Sequence, residues 1–116
     1  MALRHAQPLD VIDVRTLNAG LPGAVTTSLL KTPALQLMRL ALRAGHALPE
    51  HGVPGAITIH SLDGEAAVTM PSRTCDLRAG QLFMLTGSER HAVKATTDAS
   101  LRVIALLHTT SSEGHP

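Results

Sequence analysis

The feature that most constrains this chain is its rhythm. Strand-like segments of about four to eight residues, each ending in a turn signal, recur at the spacing of roughly eight to twelve residues expected of a sandwich or barrel. Val11–Arg15, Val25–Lys31, Leu35–Leu42, Gly55–Leu62, Glu65–Met70, Thr74–Leu77, Gln81–Leu85, His91–Ala95 and Leu101–His108 read as strands. Between them stand a loop over Asn18–Gly23, Thr32-Pro33, a Pro-containing bend over His46–Pro54, Asp63-Gly64, Pro71–Arg73, Ala79-Gly80, Thr86–Arg90 and Thr97–Ala99. Gly, Pro, Asn and Asp punctuate a chain because they supply a positive φ, a fixed φ or a local side-chain hydrogen bond. About nine or ten short strands without a helix specify an all-β fold.

One segment is ambiguous. Leu35–Leu42 (LQLMRLAL) is made of good helix formers, and Leu35, Met38 and Leu42 fit a helical face. It also alternates at period two, with Leu35, Leu37 and Arg39 on one side and Gln36, Met38 and Leu40 on the other. It is short and lies between Pro33 and Gly45, so the strand reading is preferred.

Composition narrows the function. The 116 residues suit one domain, 1–116, with a barrel core over about 25–108 and a frayed polar tail at 109–116. Apolar residues make up 44%, enough for a single core. Phe83 is the one aromatic side chain, which removes stacking as a way of holding sugars or bases. The formal net charge is +1 with no Lys/Arg run, so the backbone of a nucleic acid has no basic patch to meet. Cys75 is the sole cysteine, which fits a reducing compartment. The first ten residues lack the apolar core of a secretory signal, and no apolar stretch reaches the length of a membrane-spanning helix. A cytoplasmic protein without a nucleic-acid or membrane partner is expected. Cys75 is expected to be a small buried or half-buried residue, although Arg73 and Arg78 are the kind of cationic neighbours a reactive thiol needs. There is no Ser/His/Asp nucleophile signature, P-loop or dinucleotide loop.

Two spaced patterns carry the chemistry. The first runs Gly45, five residues, His51, one residue, Val53, three residues, Ile57, six residues, Gly64. The second runs Gly80, five residues, Thr86, one residue, Ser88, two residues, His91. Together they resemble the two motifs of the cupin family, over roughly Leu29 to Leu107. Gly45, His51, Gly64, Gly80 and His91 stand on motif positions. Val53 replaces a usual second His, Ile57 a usual Glu, Thr86 a usual Pro and Ser88 a usual Gly. The resemblance implies a cupin-type double-stranded β-helix, a jelly-roll barrel, and it implies a homodimer. Apolar residues on both parities of Leu101–Leu107 also suggest burial of both faces of that strand.

The resemblance also implies where a site would lie. On a strand, positions two apart share a face, so His51 and Val53 are expected to point into the barrel, with Ile57, Ile59 and Ser61 facing in from the next strand. Val53, Ile57, Ile59 and Phe83 are the expected pocket lining. In a full cupin site, imidazoles and a carboxylate hold iron, manganese, nickel or zinc. Here two of four ligand positions are aliphatic, leaving His51 and His91 as metal candidates. Glu50 and His60 have the outward parity; His46 has it too unless Pro49 breaks the register, which makes His46 the best third ligand.

Three functions compete. A small-ligand binding domain fits an apolar pocket with few polar groups. A metal-dependent enzyme of dioxygenase or isomerase type, acting on a small organic molecule, fits the two histidines. A metal-free enzyme would use a neutral His as acid or base and needs a carboxylate partner that the sequence does not identify.

Overall fold

The computed structural model describes residues 6–12, 24–51, 54–86 and 89–107. These form nine strands and no helix: β1 (Ala24–Lys31), β2 (Leu35–Leu42), β3 (Ala47–His51), β4 (Ile57–Asp63), β5 (Ala66–Thr69), β6 (Thr74–Leu77), β7 (Leu82–Leu85), β8 (His91–Ala95) and β9 (Ala99–Leu106). They build two antiparallel sheets, one in the order β1-β2-β9-β4-β7 and one in the order β3-β8-β5-β6. From β2 to β9 the chain passes repeatedly from one sheet to the other, which wraps a double-stranded β-helix around a single core.

β2 begins and ends where its period-two pattern predicts. Tertiary pairing overrides its helix propensity: β2 lies between β1 and β9, so both of its backbone edges are hydrogen-bonded. Leu40 and Leu42 enter the core from it.

Alternation fills the interior. On β4, Ile57, Ile59 and Ser61 face inward and are at most 3% exposed. They meet Ala105, Val103 and Leu101 of β9 across the ladder. Val68 of β5 and Val93 of β8 are paired and fully buried on the opposite sheet. Burying a side chain of this size contributes about 1.5–3 kcal/mol relative to leaving it exposed. Ser61 is accommodated because its hydroxyl donates to the Gly64 carbonyl at 2.9 Å.

One end of the barrel is tied by turns. The backbone N–H of Ala44 donates to the Asp98 carboxylate at 2.8 Å, and that of Glu65 donates to the Thr97 hydroxyl at 3.0 Å. Gly45, Gly64 and Gly80, the motif glycines, have φ of 84°, 76° and 88°. At Gly64 a Cβ would also run into the Asp98 carbonyl oxygen, so sterics as well as φ require glycine there.

Two strand expectations are corrected. Residues 47–51, expected as part of a bend, form β3. Proline is compatible because β3 is an edge strand and its register shifts between Leu48 and His51, a bulge in which a missing N–H costs no ladder bond. Val11 and Ile12 lie outside any strand, and Val11 is fully exposed; β-branched character does not make a strand without a partner to pair with. Residues 13–15 fall outside the described residues, as do the loop at 18–23 and the tail at 109–116.

Candidate functional site

His91 opens β8 and is 1% exposed. Its Nδ1 lies 3.3 Å from the Glu89 carbonyl oxygen. A carbonyl only accepts, so Nδ1 carries the hydrogen. A buried imidazole anchored in this way is oriented and held in one tautomer, the arrangement typical of histidines that ligate a metal or accept from a substrate.

His51 closes β3 and stands opposite His91 in the β3–β8 ladder. The bulge produces this pairing. Ala47 faces Lys94 and Leu48 faces Val93, but His51 rather than Glu50 faces His91, so β3 spends one residue more than β8 over this stretch. With a regular ladder Glu50 would have faced His91.

The carbonyl of His46 accepts from the Ala95 N–H at 2.9 Å. Ala95 is four residues along β8 from His91, about 13 Å at the rise of a strand. His46 is exposed, at the barrel end tied by the turns. The ladder thus pairs the backbones of His51 and His91, with His46 at the other end of β8. Among the described residues no three His, Cys, Asp or Glu side chains gather where a metal could sit.

Of the expected pocket residues, Ile57 and Ile59 line the barrel interior at 3% and 1% exposure. Phe83 is half-buried opposite Ile59 and packs on the core. Val53 lies outside the described residues. One further side chain, Met70, joins this layer. Met70 is buried and closes the β5–β6 hairpin with Arg73 through two backbone hydrogen bonds, of 2.8 Å and 3.3 Å. Sequence reasoning assigned Arg73 to a turn; hairpin register is what places it one layer from Cys75, at the His91 end of the four-stranded sheet.

As a metal site the donor set is partial. His91 has the tautomer and anchoring that a ligand needs, and His51 stands opposite it. Ile57, at the position of the usual carboxylate, offers only hydrocarbon. An ion held here would need water or ligand oxygens to complete its shell.

The family model described as the cupin domain matches residues 38–107, which is most of the barrel. No curated protein matches the chain. Among solved structures, a cupin superfamily protein from Desulfitobacterium hafniense superposes with a TM-score of 0.76 at 18% identity, covering 92% of this chain and 98% of that one. A cupin-family protein with a double-stranded β-helix fold from Methanocaldococcus jannaschii gives 0.70 at 15% identity, covering 85% and 94%. A salicylate 1,2-dioxygenase from Pseudaminobacter salicylatoxidans gives 0.63 at 21% identity, covering 76% of this chain and 27% of that one. At these identities the likeness is one of fold.

Proposed function

The chain belongs to the cupin family, and from that premise we propose that it binds a small organic ligand inside the barrel, beside His51 and His91. The observation that carries this reading is the buried His91 ring, oriented by the Glu89 carbonyl. Around it the interior is aliphatic, with Ile57, Leu85 and Met70 all buried. An apolar surrounding with one or two oriented polar groups is how small-molecule sites achieve selectivity.

The same tautomer supports a second reading, in which His51 and His91 hold one divalent transition ion: iron, manganese, nickel or zinc. Such an ion would polarise a ligand oxygen. The salicylate 1,2-dioxygenase with this fold supports a dioxygenase or isomerase type of chemistry at the level of fold only.

Metal titration of untagged protein separates the two. Under the first reading the wild type takes up less than about a tenth of an equivalent of Fe, Mn, Ni or Zn, while small ligands still raise its melting temperature. Under the second it binds about one equivalent, and both His51→Ala and His91→Ala abolish uptake. Retained uptake in either variant would contradict the second reading.

The proposal includes a homodimer. Leu37, Ile104 and Leu106 face away from the core and are only half-buried, and Met84, in the same cross-strand row as Leu37 and Ile104, is 57% exposed. A second copy on this sheet face would bury them. No helix among the described residues is long and apolar enough to cross a membrane. The single cysteine favours a reducing compartment such as the cytoplasm.

A further inference from the structure

β6 and β7 are neighbours in sequence but belong to different sheets, and each is the last strand of its sheet among the described residues. Where the two edges meet, the barrel flank opens into a cleft of about 540 Å³. Leu82 and Phe83 form an apolar wall, and Cys75 reaches in half-buried from the other side. Arg73 and Asp76 supply the charge.

The state of Arg73 marks the cleft as a binding site. Its backbone is engaged with Met70, but its guanidinium has no hydrogen bond or ion pair in the described structure. Arg78, the other cation near Cys75, is instead paired with Glu65 at 3.6 Å. The Gln81 amide oxygen is also taken, by the Arg78 N–H at 2.8 Å. Arg73 is thus an unengaged planar fork of donors above an apolar wall, which matches a carboxylate attached to a hydrocarbon body. Asp76 in the same cleft disfavours a second negative charge on the ligand.

We propose that the β6–β7 cleft is a second binding site, distinct from the histidine pair, that takes an amphipathic monocarboxylate through Arg73. The cleft lies two strand positions from His91 in the order β8-β5-β6, about 10 Å across the sheet. A ligand seated there touches Cys75 without displacing anything bound at Nε2 of His91.

Cys75 is the sole cysteine of the chain and lines the cleft, so its alkylation rate reports occupancy directly. The experiment measures iodoacetamide modification of Cys75 with benzoate, or with its neutral isostere benzamide, at constant ionic strength. Benzoate is expected to slow the reaction, benzamide to do so much less, and Arg73→Gln to weaken benzoate protection about tenfold, the loss of one charge-assisted pair. His91→Ala is expected to leave the protection intact, which keeps this result separate from any outcome at the histidine pair. Equal protection by benzamide, unchanged protection in Arg73→Gln, loss of protection in His91→Ala, or no protection of the wild type would each overturn the proposal. Arg73 is exposed, so the substitution leaves the fold in place, and an unchanged melting temperature verifies this.

Discussion

His51 faces His91 across the β3–β8 ladder because β3 carries one residue more than β8 between Leu48 and His51. The bulge around Pro49 decides which residue of β3 is paired with His91, since a one-residue slip exchanges the two faces of a strand. Cross-strand backbone NOEs are expected between His51 and His91. A regular ladder with Glu50 opposite His91 would show NOEs between those two residues instead, and would remove the second histidine from the site.

The outer face of the five-stranded sheet carries a basic row. Arg39, Arg102 and His60 are aligned across β2, β9 and β4. A guanidinium Nη of Arg102 donates to Nδ1 of His60 at 3.0 Å, while its buried Nε has no acceptor. His60→Leu removes that acceptor and is expected to cost about 1–3 kcal/mol in urea unfolding. The double variant with Arg102→Met is expected to fall short of the summed single costs by about 1 kcal/mol. Strict additivity would show that the pair contributes nothing.

The two glycines of the first motif make different demands. Gly45 has a positive φ but open space around its Cα, so Gly45→Ala costs only the left-handed backbone, about 1–2 kcal/mol. Gly64→Ala meets the Asp98 carbonyl as well, and at least about 3 kcal/mol is expected. Equal losses for the two in denaturant titration would mean that the Gly64 turn yields to relieve the contact.

In sedimentation equilibrium the protein is expected at twice its 12.2 kDa chain mass. Met84→Glu puts a charge on the proposed dimer face at a side chain that is 57% exposed in the protomer. It is expected to shift the protein to monomer without lowering protomer secondary structure. A dimer that survives Met84→Glu unchanged would place the interface elsewhere.

The barrel was legible because its signals are local. Gly45, Gly64 and Gly80 announce turns that need a positive φ, and Ile57, Ile59 and Ser61 alternate with the pleat. β2 was resolved by its length and its neighbours, against its propensity. The site was less legible because it depends on register. Pro49 suggested a bend, whereas pairing with β8 makes residues 47–51 a bulged strand. The anchoring of His91 depends on a carbonyl two residues before it, and backbone groups leave no trace in side-chain spacing. Arg73 joins Cys75 in a cleft because two sheets end side by side, a relationship set by topology.

The most direct test of the proposed ligand site is the tautomer of His91, read by long-range ¹H–¹⁵N correlation of the imidazoles during titration with small organic acids and, separately, with Zn²⁺. The free protein is expected to show His91 as the Nδ1–H tautomer, and its Nε2 resonance is expected to move when a ligand or the ion binds. An Nε2–H tautomer in the free protein, or a His91 ring whose resonances stay fixed through both titrations, would contradict the assignment of this histidine to a binding site.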